Sequence, residues 1–275
     1  MSTPLVIYHG NCQDGFTAAW AIWKKFPDFE FYPGKYQETP PDVSGRDVFF
    51  VDFSYKRPVI LEMAAKANSI TILDHHASAE KDLVDLPENV FVIFDMERSG
   101  ARITWEFFHS KEEVPALVKY VEDRDLWRFK YEETKSLSAY LFSFEYSFAI
   151  WDQAVRIMDD LNRRNAAELQ GQSILRKQAK DIDELLQNKF RMTIGGTEVW
   201  SANLPYTLCS EAGHILSKGE PFAATFYLDG KSAIFSLRSA EDGIDVSEVA
   251  KKYGGGGHKH AAGFKVPSPV AWELK

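Results

Sequence analysis

The stretch Ser69-Ile-Thr-Ile-Leu73-Asp74-His75-His76 decides the fold. Its first five residues are rich in β-branched side chains and too few for a helix, so they read as a buried strand. An acid and two imidazoles follow directly. The same order repeats outward. Upstream, Asp47-Val-Phe-Phe-Val51 is a strand that runs into Asp52-Phe53-Ser54. A helix from Arg57 to Ala67 follows, with Pro58 early enough that its missing N–H costs little. Further upstream, Leu5-Val-Ile-Tyr-His9 precedes a helix from about Gly15 to Phe26, and Phe29-Glu-Phe-Tyr32 offers another strand. Downstream lies Asn89-Val-Phe-Val-Ile-Phe94. Strands alternating with helices predict an α/β fold with a mostly parallel sheet covered on both faces. Function in such sheets gathers just beyond the carboxyl ends of the strands.

From Pro115 to Lys189 the strand signals largely stop. Trp151 to Leu161 and Ala166 to Phe190 read as helices, the second long, polar and free of proline. Beyond it, Glu198–Ala202, Pro221–Leu228 and Lys231–Arg238 are strand-like, with helices near Cys209–Ser217 and Val246–Lys252. The expected organisation is an N-terminal α/β domain over 1–165, a helical connector over 166–190 and a smaller α+β domain over 191–275.

The 275-residue chain is 45% hydrophobic and 26% charged, which excludes a disordered or low-complexity protein. Its longest apolar candidate, Thr17 to Trp23, is far shorter than the roughly 20 residues a membrane span needs. Met1-Ser-Thr-Pro4 lacks the basic region of a signal peptide. Two cysteines, Cys12 and Cys209, make no disulfide framework. These features predict a cytoplasmic protein with no membrane partner. The formal net charge is −8, and from Arg191 onward nine basic residues balance nine acidic ones. The excess carboxylate therefore lies upstream. A general duplex binder carries a basic footprint, and this chain does not; clustered carboxylates suit metal ligation better.

Five of the seven histidines fall in three clusters: His9, His75-His76 and His258/His260. Three consecutive strand-to-helix junctions present Asp or His: His9 with Asp14-Gly15, Asp52, and Asp74-His75-His76. Any one of them could be a helix cap. Together they predict a site for a pair of divalent metals, and imidazole with carboxylate favours Mn²⁺ or a similar ion. Two such ions share a carboxylate and a water of lowered pKa. Asp74 could be a ligand, or it could stand behind an imidazole and fix its tautomer.

Leu73-Asp74-His75-His76 resembles the signature of the DHH phosphoesterase superfamily. His9…Asp14-Gly15, Val51-Asp52-Phe53-Ser54, Ser99-Gly100-Ala101 and Glu122-Asp123-Arg124-Asp125 fall in the family's order around it. Phe235-Ser-Leu-Arg238-Ser239 and Gly254-Gly-Gly-Gly-His258-Lys-His260-Ala-Ala-Gly263 resemble the DHH-associated domain of nanoRNases, single-strand exonucleases and related phosphodiesterases. The resemblance implies metal roles for His9, Asp14, Asp52, His75 and Asp123, with Asp52 as the bridge. Asp123 is preferred to Asp125 because it follows Val121 in the family's register. Asp74 would support the site, and His76 would touch the scissile phosphate or the leaving group. Ser99 and Gly100 are implied as substrate contacts.

One stretch departs from the pattern. The family's first motif has two aspartates after the histidine; here Asn11 takes the place of one, or the loop is a residue longer. Cys12 reads as a buried structural thiol, with an approach to the site as the alternative. In the C-terminal part, the backbone of Gly255, Gly256 and Gly257 is suited to cradling phosphate. Arg238, Ser239, His258 and His260 would add directional contacts, Arg238 as a bidentate phosphate ligand. The whole predicts a metal-dependent phosphohydrolase with two Mn²⁺ ions, acting on short single-stranded oligonucleotides or small nucleotides, in a chain that could pair as a homodimer. The alternatives are a pyrophosphatase or exopolyphosphatase, against which the glycine-rich His loop argues, and a nucleotide-binding sensor without turnover.

Overall fold

The computed structural model describes residues 2–36 and 38–268 and separates into two units, 1–175 and 176–275. The first unit opens with β1 (Leu5–His9), α1 (Gln13–Lys25), β2 (Glu30–Gly34), β3 (Asp47–Val51), α2 (Arg57–Ala64), β4 (Ser69–Asp74), α3 (Ala77–Asp82) and β5 (Val90–Phe94). The strands stand in the order β2-β1-β3-β4-β5, every neighbouring pair parallel. The edge position of β2 explains how Pro33 is tolerated within a strand. Register then does the positioning. Tyr8 pairs with Val51, and Val51 with Leu73. The next residue on each strand is His9, Asp52 or Asp74, so the three emerge side by side at one edge of the sheet.

The alternating side chains of the central strands feed two cores. On one face Leu5, Ile7, Phe50, Ile60 and Ile72 pack together; on the other Val6, Val51 and Leu73 meet Trp20 and Trp151. The second face is covered by α1 together with a helical array: α4 (Gly100–Phe108), α5 (Ala116–Asp125), α6 (Thr134–Phe142), α7 (Phe148–Asp159) and α8 (Leu161–Leu185). Buried indoles need a partner for their N–H, and here they fasten α7 to α1. Trp151 Nε1 donates to Thr17 Oγ1 at 2.9 Å, and Trp20 Nε1 donates to Asp152 Oδ1 at 2.9 Å. Gly171 is the point where α8 crosses α6. A Cβ there would stand 1.8 Å from the Ser136 carbonyl oxygen, so only glycine permits the approach.

The second unit holds β6 (Phe190–Ile194), β7 (Thr197–Asn203), α9 (Cys209–Leu216), β8 (Ala223–Leu228), β9 (Ser232–Arg238), α10 (Val246–Lys251), β10 (Gly256–His258) and β11 (Ala261–Pro267). Its sheet runs β10-β11-β9-β8-β7-β6, antiparallel except where β7 meets β8. The long helix starts at Leu161 rather than Ala166 and stops at Leu185. A 3₁₀ turn over Leu186–Asn188 follows, and Phe190 already belongs to β6, not to the helix. The glycine-rich run, read from sequence as a loop, forms β10, and the small-residue run after it forms β11. Neither has strong strand propensity; both are drawn into the sheet by pairing, β11 with β9 over seven residues.

Candidate metal centre

Asp52 leaves β3 in left-handed backbone (φ 55°), a conformation that aspartate tolerates better than most residues. Its carboxylate is spanned by two imidazoles. His9 Nδ1 lies 3.2 Å from Oδ2, and His75 Nε2 lies 3.1 Å from Oδ1. Burial alone would raise the Asp52 pKa, but hydrogen bonds with His75 and His9 hold it well below the ordinary carboxylate range. Asp14 enters from the first turn of α1. It accepts the N–H groups of Gly100 at 2.6 Å and Ala101 at 3.1 Å, the first residues of α4. A carboxylate is favoured at such a helix start. Even so, burial and the charges of Asp52 and Asp125 push Asp14 well above its usual range.

Three carboxylates converge on one imidazole nitrogen. His75 Nε2 is 3.1 Å from Asp52, 3.4 Å from Asp125 and 3.8 Å from Asp14. A ring nitrogen has one proton to give and can satisfy only one of them. Burial would lower the pKa of His75, but Asp125, Asp52 and Asp14 together raise it well above its normal value. Ligand atoms of Asp14, Asp52 and His75 lie within 4.8 Å of one another, as do those of His9, Cys12 and Asp52 and those of Asp52, Asp74 and His76. Buried negative charge of this density fits a divalent cation, and the nitrogen, oxygen and sulfur donors are those such ions take. Asp74 faces inward. Its Oδ1 accepts the His75 N–H at 2.7 Å and the His76 N–H at 3.2 Å, and lies 2.7 Å from His76 Nδ1. Burial opposes charge on His76, but Asp74 raises its pKa above the usual value.

The structure engages Asp123 within its own segment. Its carboxylate is buried and occupied within the chain, accepting the N–H groups of Lys130 at 2.8 Å and Tyr131 at 3.2 Å together with the Thr134 hydroxyl. Asp125, held as the alternative, is the residue of this segment that faces His75. The loop that Asp123 secures is tight: Trp127 and Phe129 both have left-handed backbone (φ 55° and 48°). Ser99 and Gly100 are also engaged within the chain. Both are buried and brace Asp14, Ser99 from the N-cap of α4 and Gly100 through its N–H. A Cβ on Gly100 would lie 2.4 Å from the Asp52 Cβ and 2.9 Å from Asp14 Oδ2. Asn11 does not replace a carboxylate at the centre. It is exposed, and its left-handed backbone (φ 57°) turns the chain so that Cys12 reaches His9 and Asp52 instead. Tyr36, which carried no signal in the sequence, lies with its ring centroid 5.5 Å from that of His9.

In the second unit Arg238 ends β9 and is held in place. It donates to Ser236 Oγ at 3.0 Å, to the Leu237 carbonyl at 2.8 Å and to Ser210 Oγ at 3.1 Å. Ser239 Oγ and His260 Nδ1 are 2.9 Å apart. Gly255 lies so close to β11 that a Cβ would meet the Gly263 carbonyl oxygen at 2.0 Å, while Gly257 has a φ of 139°. Gly256 and His258 stand on β10, half-buried.

Residues 210–274 match the DHHA1 domain. Protein R106 of Acanthamoeba polyphaga mimivirus is 29% identical over 288 residues, which is 94% of this chain and 66% of that protein. Oligoribonuclease NrnB of Bacillus subtilis (strain 168) is 42% identical over 64 residues, 22% of this chain and 16% of that enzyme. The chain thus spans just under two thirds of the first relative's length and a small part of the second's. An exopolyphosphatase-related protein from Bacteroides fragilis shares the fold, with a TM-score of 0.55 at 13% identity over 98% of this chain and 88% of that one. Among the described residues no helix is long and apolar enough to cross a membrane. The chain thus carries a DHHA1 match over residues 210–274 and shares its fold with an exopolyphosphatase-related protein, with the ordered Asp and His residues at the strand ends of the first unit.

Proposed function

We propose that the protein is a metal-dependent phosphohydrolase acting on short single-stranded oligonucleotides or small nucleotides. The convergence of Asp14, Asp52 and Asp125 on His75 Nε2 carries this reading. Asp52 presents an oxygen to each side and suits a bridge between two ions, with His9 on one side and Asp14, His75 and Asp125 on the other. Divalent ions bound there supply a water of lowered pKa and withdraw charge from phosphoryl oxygens. The chain's own residues do the rest. The amides of Gly100 and Ala101 hold Asp14 in place. Asp74 orients His76 through Nδ1, and His76 donates a hydrogen bond to a phosphoryl or leaving-group oxygen as charge develops on it. In the second unit, Arg238, Ser239, His258, His260 and the backbone of residues 255–257 serve to bind phosphate or ribose. The local likeness to an oligoribonuclease supports a nucleotide substrate.

The test is product analysis on dinucleotides, 3′-phosphoadenosine phosphate, cyclic dinucleotides and pyrophosphate, with Mn²⁺ and with chelator. Turnover of a nucleotide substrate that chelator abolishes is expected. Faster release of phosphate from pyrophosphate would replace this reading with a pyrophosphatase. Tight nucleotide binding without product would make the protein a sensor.

A further inference from the structure

We propose that Cys12 is itself a metal ligand, whose thiolate makes one side of the centre selective for a softer divalent ion such as Zn²⁺ or Co²⁺. The inference rests on the metal-dependent reading above and adds the identity of the ion. Cys12 is the N-cap of α1, a position where Ser, Thr, Asp or Asn normally accepts a backbone N–H. Cysteine is an uncommon choice there. The Cys12 sulfur gathers with a ring nitrogen of His9 and an oxygen of Asp52, all within 4.8 Å of one another. Donors bound to one ion at about 2.0–2.3 Å stand at most about 4.6 Å apart, so slight side-chain rotation closes the set. Three separate constraints aim these atoms: His9 ends β1, Asp52 directly follows β3, and the left-handed Asn11 starts the turn into α1.

The chemistry follows from the donor atoms. Imidazole and carboxylate alone suit Mn²⁺, and a thiolate in the same set shifts preference toward Zn²⁺ and Co²⁺. Binding forms a sulfur–metal bond and releases the thiol proton to solvent, with no change of oxidation state. Cys209 provides an internal control, since it is buried in the second unit with its sulfur 3.7 Å from the Leu204 carbonyl oxygen.

The full chain, stripped of metal, is titrated with Co²⁺ and followed for the near-ultraviolet thiolate-to-cobalt charge-transfer band, with calorimetry in parallel. The band is expected in the unsubstituted chain and in Cys209→Ser, and its loss is expected in Cys12→Ser and Cys12→Asp. The ratio of Zn²⁺ to Mn²⁺ affinity is expected to fall on the order of tenfold or more in Cys12→Asp. Co²⁺ binding by calorimetry with no band, or a band that survives in Cys12→Ser, overturns the proposal while leaving the metal centre standing. No Co²⁺ binding at all removes both. Circular dichroism of each variant distinguishes a lost ligand from a lost fold.

Discussion

The two-residue interval between Asp123 and Asp125 separates structure from chemistry. On a helix, two residues subtend about 200°, so their side chains point to opposite sides. Sequence register favoured Asp123; only the fold shows that it faces the 130–134 turn and that Asp125 faces His75. The expected outcomes therefore differ. Asp123→Ala leaves two backbone N–H groups without their acceptor, a cost of roughly 1–3 kcal/mol and a few degrees of Tm. Asp125→Asn should leave Tm within a degree or so while weakening Mn²⁺ binding, read by calorimetry and thermal melts on both variants. Asp52→Asn and His75→Ala should fold and lose metal-dependent hydrolysis by about a thousandfold or more; near-normal turnover at saturating Mn²⁺ would sink the dinuclear assignment. The pH dependence has a definite sign. Burial disfavours charge on His75, yet Asp125, Asp52 and Asp14 hold its pKa well above the ordinary value, so the metal-free ring keeps a proton that a cation must displace. Mn²⁺ affinity should accordingly rise between about pH 6 and about pH 8; flat affinity across that window would count against His75 as a ligand.

At the scale of elements, legibility followed the strength of the local pattern. The apolar runs of β1, β3 and β4 could be read directly, because strands in the middle of a covered sheet are nearly continuous hydrophobic runs, and edge strand β5 carries a similar run. β10 and β11 could not, because glycine and alanine adopt the strand only when β9 supplies the partner. β6 was hidden for another reason: Phe190-Arg-Met-Thr-Ile194 is largely exposed and continues a polar helix without a breaker. Helix α8 offers a test in which propensity and packing disagree. Alanine normally stabilises a helix interior by about 1 kcal/mol over glycine. At Gly171 the added methyl would lie 1.8 Å from the Ser136 carbonyl oxygen, which is backbone and cannot swing aside. Gly171→Ala is therefore expected to lower Tm despite the better propensity; a higher Tm would mean that α8 does not press on α6 in solution.

For the whole molecule, charge sets the expectation on substrate length. The chain carries −8, with the excess acid upstream of Arg191. Proteins that track long strands combine a positive groove with stacking aromatics, and their affinity falls steeply with salt. On the proposed function, such a charge balance would suit one or a few phosphates and disfavour a long polyanion. Initial rates on a length series at two salt concentrations should show kcat/KM peaking at about two to five nucleotides with a shallow salt slope. Faster, processive cutting of the longest members would contradict this. The proposed class could be read because seven motifs stand in order along the chain. The nearness of Cys12 to His9 and Asp52 could not, since a lone cysteine in a sequence does not declare its neighbours.

The contact between Asp52 and Gly100 bears on what this site can become. Asp52 adopts left-handed backbone, and a Cβ at position 100 would come within 2.4 Å of the Asp52 Cβ. Two positions nearly fifty residues apart thus share one small volume. In a saturation library sorted only for folded protein, with no selection for activity, position 100 should return glycine alone. Position 52 should return aspartate, asparagine and glycine, the residues at ease with that backbone. The inheritance of a metal centre would then be partly enforced by sterics: drifting lineages that lose catalysis would still carry its outline.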